Sequence, residues 1–250
     1  MASYVPGSKL LNKVRLSLKM LGFWETFKGI VHYLTKPEKL GEGLKFDKKY
    51  GTDTNTHVKV HDLGIEDEKQ ADAIFYYPLK PKILKFIIKS LKIKYSEFTF
   101  IDIGSGKGRN LLLTSFFPFQ RRIGVEISPN LHEIAKRNLD IWRSQSTGDM
   151  NMELRNENAL DFDFPKENCV ILMYHPFKAK VTREFLKNIE SSIKGNPRRI
   201  LLIIISRSTN DQRWVFEGSK FFELKVDFEV MHLDWSWCLY ENILKEAARS

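Results

Sequence analysis

Phe98-Thr99-Phe100-Ile101-Asp102-Ile103-Gly104-Ser105-Gly106-Lys107-Gly108-Arg109 is the stretch that decides how this chain folds. Phe98 to Ile103 has the short apolar, β-branched character of a buried strand. It ends in the region of a carboxylate, and three glycines at alternate positions follow. Asn110 to Phe117 then suits a buried helix. A strand that passes through a glycine turn into a helix brings bare backbone N–H groups close to a ligand. Further on, Arg122-Ile123-Gly124-Val125-Glu126 reads as a second strand closed by an acid. Such an acid can accept two hydrogen bonds from a ribose diol. A nucleoside-containing cofactor is the first expectation.

The spacing separates the cofactor classes. A dinucleotide fingerprint places its third glycine at position 109, which is Arg. A phosphate-binding P-loop needs a glycine where Ile101 stands and Ser or Thr where Gly108 stands. What remains is D-x-G-x-G-x-G with a distant acid, and DIGSGKG here resembles the first motif of the class I S-adenosylmethionine-dependent methyltransferases. The bland alternative is a glycine-rich turn that binds nothing; the place of Glu126 argues against it.

The chain has 250 residues, a hydrophobic fraction of 42% and five Trp, enough for one large α/β domain with a real core. Cys169 and Cys238 lie far apart without metal-ligand spacing and read as thiols of a reducing, cytoplasmic compartment. The net charge of +9 is uneven: residues 1–100 carry 18 Lys/Arg against 11 Asp/Glu. A basic leading third suggests an anionic partner or a membrane surface, or else simply a Lys-rich solvated face. No nucleic-acid motif with interleaved aromatics stands out.

Lys9 to Leu34 reads as a basic amphipathic helix, packed on the domain or lying on a membrane. Residues 1–45 are expected as a helical extension and 46–250 as the main domain. Phe46 to Thr54 reads as a loop with turn chemistry at Tyr50-Gly51. Pro81 opens a helix with an apolar stripe from Ile83 to Leu91 and a Lys face. After Glu126, strands and helices alternate through Met152–Arg155, Val170–Tyr174 and Arg199–Ser206, and Phe221–Val230 and Trp235–Tyr240 form a closing pair. This pattern predicts a Rossmann-like, seven-stranded, mostly parallel sheet covered by helices on both faces, with an antiparallel strand near the C-terminus.

The resemblance implies roles for the strand ends. Asp102, Gly104, Ser105, Gly106 and Gly108 would hold the amino-acid part of S-adenosyl-L-methionine, Glu126 its ribose, and Asn158-Ala159 its adenine. Asn158 departs from the usual acid, and it reads equally as a turn-forming Asn. Tyr174-His175-Pro176-Phe177 would form the methyl-acceptor site, with His175 where amino-group methyltransferases often carry Asn or Asp. His175 then either takes a proton or hydrogen bond from the acceptor or only closes the pocket wall. Phe46–Thr54, Tyr76–Pro78, Asp102–Arg109, Gly124–Ser128 and Pro176-Phe177 together resemble a group of bacterial methyltransferases. The run Val170–Phe177 and the GSGKG loop also resemble the non-SET histone-lysine methyltransferases. Those likenesses imply a lid from Tyr77 and Thr52-Asp53-Thr54, and an acceptor nitrogen, protein lysine included; Tyr77 reads equally as a staple before the Pro81 helix. The competing readings are a non-catalytic module that joins a complex through its basic face, and a nicotinamide-dependent oxidoreductase. No metal site is expected.

Overall fold

The structure is a computed structural model that describes residues 41–66, 74–145, 151–206, 214–229 and 236–243. The leading helix expected over Lys9–Leu34 lies outside the described residues. Seven strands form one sheet: β1 Phe98–Ile103, β2 Arg121–Glu126, β3 Met152–Asn156, β4 Asn168–Tyr174, β5 Ile200–Ser206, β6 Phe222–Glu229 and β7 Ser236–Asn242. Their order is β3-β2-β1-β4-β5-β7-β6. β1 to β5 run parallel, and β7 is antiparallel to both neighbours. The antiparallel strand is therefore inserted one place in from the edge.

Why this sequence makes that sheet follows from burial. Every residue of β1 and of β5 is buried, the signature of central parallel strands covered on both faces. Side chains alternate across the pleat, so Phe100 joins Ile87, Leu112 and Trp237 on one face. Ile101 and Ile103 join Ile171, Phe185 and Ile189 on the other. The helices supplying these faces are α1 Glu42–Tyr50, α2 Pro81–Ser90, α3 Arg109–Thr114, α4 Pro129–Gln145 and α5 Ala179–Gly195; the short α6 Trp214–Glu217 had no periodic signal in the sequence. Pro81 sits in the first turn of α2, where its missing N–H costs nothing.

One expectation needs correcting. Phe46–Tyr50, read as loop, is the second half of α1, so that helix crosses the boundary drawn at residue 45. Gly51, at φ 70, is its left-handed C-cap, and its N–H donates to Asp47 O. The Tyr50-Gly51 signal was a helix stop rather than a hairpin or loop turn. Phe46 and Tyr50 pack on Trp142 of α4, with ring centroids 5.8 and 4.5 Å away, and fix α1 to the body.

Strand order reverses at β1, with β2 on one side and β4 on the other. In an open α/β sheet the crevice at that switch, beyond the carboxyl ends of the strands, is where ligands bind.

Candidate active site

At the end of β1 the chain folds back on β2: Gly104 N and Ser105 N both donate to Val125 O, at 2.9 and 3.0 Å. Two glycines there are needed for distinct reasons. Gly104 is at φ 73, and a Cβ on it would meet Pro176 Cβ at 2.6 Å. Gly106 is at φ 55, and its Cβ would lie 2.2 Å from the Tyr76 ring. Both are places where only a bare backbone lets a neighbouring segment come down.

A cavity of about 280 Å³ opens beside this turn. Its floor is Gly104, Ser105, Val125 and Glu126; Asn158, Ala159 and Leu160 form one side, and Tyr174, His175, Pro176 and Phe177 another. Leu63, Ile65 and Tyr76–Leu79 roof it. The ends of β1, β2 and β4 and the segment after β3 thus converge on one space. Asp102, Gly106 and Gly108 stand just behind the wall. Gly108 turns its α-carbon toward Ala135 rather than toward the cavity.

The charges in the floor are unusual. Glu126 accepts from Gly106 N and Ser128 N, each at 2.8 Å, so the acid of β2 holds the glycine turn in place. Burial pushes its pKa up, against the pull of those backbone donors. Asp102 is buried, accepts from Asn110 Nδ2 at 3.2 Å, and is pushed up to about 8 by burial, with the nearby Glu126 adding to the rise. Asp102 Oδ2, Asn110 Oδ1 and Ser105 Oγ are buried without a hydrogen-bond partner among the described residues. Buried orphans of this kind cost free energy unless something supplies their partners. Three acceptor-capable oxygens, one of them on a raised acid with a second raised acid nearby, fit a ligand that brings a cationic, hydrogen-bond-donating group, as the amino-acid end of S-adenosyl-L-methionine does.

That arrangement sets a pH dependence. An acid raised in the folded state holds a proton there that the unfolded chain has lost, so the ligand-free fold loses stability as pH rises from about 4 to about 8. A cation beside Asp102 favours the carboxylate and expels the proton. Below about pH 7, where the ligand's own amino group stays charged, cofactor affinity should rise with pH. Calorimetry in buffers of different ionisation heat should report release of about one proton at most, and Asp102→Asn should abolish it. A flat affinity between pH 5.5 and 7 would remove Asp102 from the site.

Sequence reasoning missed the partners of Lys107 and Arg109. Both turn to the Asp53–Asn55 segment, and Arg109 also borders the cavity. Lys107, 2% exposed, lies 3.0 Å from Asp53 Oδ1. Arg109, 3% exposed, donates through Nε to Thr54 Oγ1 at 2.7 Å and through a terminal nitrogen to Asn55 Oδ1 at 3.1 Å. Asp47 accepts from Thr52 Oγ1, Thr54 N, Thr54 Oγ1 and Asn55 N. Asn138 of α4 accepts from Asp53 N and donates to Asp53 O and Lys107 O. The two motifs Phe46–Thr54 and Asp102–Arg109 are therefore halves of one structure. Thr52-Asp53-Thr54 does not reach over the cavity; it buttresses the glycine turn from behind.

Tyr76, also missed, is the closer lid residue. Its ring covers Gly106 and its hydroxyl donates to Thr54 O at 2.8 Å. Tyr77 lies on the cavity roof, with its ring 4.6 Å from His57 and 6.5 Å from Tyr174. Asn158 serves a turn: its Oδ1 accepts from Leu160 N at 3.0 Å, and its carbonyl from Asp161 N. Its side chain still borders the cavity. His175 stands at φ 51, an uncommon conformation for a residue with a side chain, and such outliers gather at functional sites. Among the described residues no group of His, Cys, Asp and Glu could hold a metal ion.

No family model matches the sequence, and no curated protein aligns with it. Solved structures do match. An S-adenosylmethionine-dependent methyltransferase from Aquifex aeolicus superposes with a TM-score of 0.50 at 12% identity, over 64% of this chain and 89% of its own. The fold is that of the class I methyltransferases. The strand order of this chain is what puts the glycine turn, Glu126 and the His175 loop around one crevice. A ribosomal protein L11 methylase from Lactobacillus delbrueckii subsp. bulgaricus (TM-score 0.47, 13% identity, 64% of this chain and 77% of its own) and TrmK from M. capricolum, solved with S-adenosyl-homocysteine (0.46, 18%, 64% and 67%), are also similar.

Proposed function

We propose that this protein is an S-adenosyl-L-methionine-dependent methyltransferase that acts on nitrogen, with a protein lysine among its candidate acceptors. The observation that carries the reading is the cluster of Asp102 Oδ2, Asn110 Oδ1 and Ser105 Oγ, buried and orphaned beside Glu126 at the switch point of a methyltransferase fold. Glu126 would accept from the ribose hydroxyls, Ser105 and Asn110 on the cavity wall would face the ammonium with the Asp102 carboxyl behind them, and Ile127 and Leu160 offer apolar surface to the base. When bound, the cofactor supplies a methyl group on a positively charged sulfur. The chain's own task is positioning and exclusion of water. The roof of Tyr76 to Leu79 excludes solvent, Phe177 and Tyr174 wall the acceptor side, and the His175 imidazole takes a hydrogen bond or proton from the acceptor nitrogen. With Cys169 and Cys238 buried and not joined in a disulfide, a reducing cytoplasm suits the chain. Among the described residues no helix is long and apolar enough to cross a membrane.

The second reading, a binding module that holds the cofactor without transferring methyl groups, rests on His175 standing where an amide or acid is usual. Incubating the protein with methyl-labelled cofactor and cell lysate, then separating protein, lipid, nucleic acid and small molecules, tests the two. Label in an amine-bearing fraction supports the enzyme; cofactor binding with no label in any fraction supports the module. His175→Ala should slow turnover by about a hundredfold or more, the usual weight of a general base, with cofactor affinity nearly kept. His175→Asn, which tolerates positive φ, should recover part of the rate. Equal losses in rate and affinity would make His175 a cofactor residue instead.

A further inference from the structure

Helices α1 and α2 lie side by side, joined by an ion pair between Lys82 and Glu42. Together they carry Lys45, Lys48, Lys49, Lys82, Lys85 and Lys89. Glu42 is the acid that faces these cations; Asp47, the other acid on the pair, is buried against the Arg109 guanidinium. Two apolar side chains stand out in this field, Leu44 at 62% exposure and Phe116 at 51%. Phe116 lies between Lys85, whose Nζ is 4.6 Å from its ring, and Trp142, which stacks on Phe46 of α1. Trp142 and Phe46 are themselves buried, but α1 packs on α2 and α2 on α3, so the lysines, Leu44 and Phe116 are carried by adjoining elements.

All six cations are Lys. Bidentate recognition of phosphates and base edges favours the planar guanidinium fork of Arg, although Lys also contacts both. A lysine field with protruding Leu and Phe suits a fluid layer of negative headgroups, where charge attracts and apolar side chains insert. We propose that this face docks the protein on an anionic phospholipid surface. The chain links the face to the cavity directly, because Leu79 roofs the cavity and Pro81 begins α2. The docking stands on the surface alone and holds whether or not the cavity takes the cofactor.

Co-sedimentation of the full chain tests it, with vesicles of phosphatidylcholine alone and with about a third phosphatidylserine. The expected result is binding to the anionic vesicles only, falling steeply as salt is added. Replacing Lys45, Lys48, Lys49 and Lys89 together by Gln should weaken that binding by about six-hundredfold, at roughly fivefold per lysine. Leu44→Ser alone should weaken it several-fold, and thermal melts should match the parent for both variants. Three results would overturn the proposal: equal binding to neutral vesicles or none to either, anionic binding untouched in the folded four-lysine variant, and tighter binding of single-stranded RNA than of vesicles by the same lysines.

Discussion

Gly106→Val should lose about a hundredfold or more in affinity for S-adenosylhomocysteine, read by calorimetry, and still fold. The new Cβ would fall 2.2 Å from Tyr76 Cε2, so either the Tyr76 ring or the glycine turn has to move. Each belongs to the site: Tyr76 is part of the cavity roof, and Gly106 N–H is the donor that fixes Glu126 Oε2. The left-handed backbone at φ 55 adds about 1–2 kcal/mol of strain, which a melting curve should register. Gly108→Ala separates strain from function. It has a comparable backbone, at φ 82, but its Cβ would meet Ala135 at 3.4 Å, away from the cavity. It should cost stability and leave affinity nearly unchanged. Full affinity in a folded Gly106→Val protein would mean that the turn does not border the ligand.

Glu126→Ala should weaken cofactor binding by about 1–3 kcal/mol, the range for losing hydrogen bonds to a charged group. The geometry adds a second effect. With the carboxylate gone, Gly106 N–H and the buried Ser128 N–H lose their acceptor, so the melting temperature should also fall. Glu126→Gln keeps one acceptor oxygen and should lie between parent and Ala in both measurements. An unchanged dissociation constant in either variant would take Glu126 out of the ribose site. A lowered melting temperature with full affinity would leave it the role of a clamp on the glycine turn alone.

The sheet was largely legible because its signals are local. β1, β4 and β5 announce themselves as apolar, β-branched runs, and all of them are buried on both faces. The strand ends carrying Glu126 and His175 were legible through spacing along the chain. What escaped was everything decided by contacts between distant segments. Nothing near Lys107 or Arg109 tells that their partners are Asp53, Thr54 and Asn55, more than fifty residues earlier. Tyr76 and Tyr77 are neighbours in sequence, and only the docking of the Tyr76–Leu79 roof decides that the first covers Gly106 while the second faces His57 and Tyr174. At Asn158 two local rules competed, and the side chain satisfies the turn while it borders the cavity. At Phe46–Tyr50 a helix C-cap and a loop turn share the same Gly signal, and packing of Phe46 and Tyr50 on Trp142 chose the helix.

The most direct measurement is a calorimetric titration of the parent chain with S-adenosyl-L-methionine, run beside the same titration with a nicotinamide dinucleotide. The site described here predicts saturable micromolar binding of the first, at one site per chain, and no heat from the second. No binding of S-adenosyl-L-methionine, or binding that survives intact in Gly106→Val and Glu126→Ala together, would contradict it.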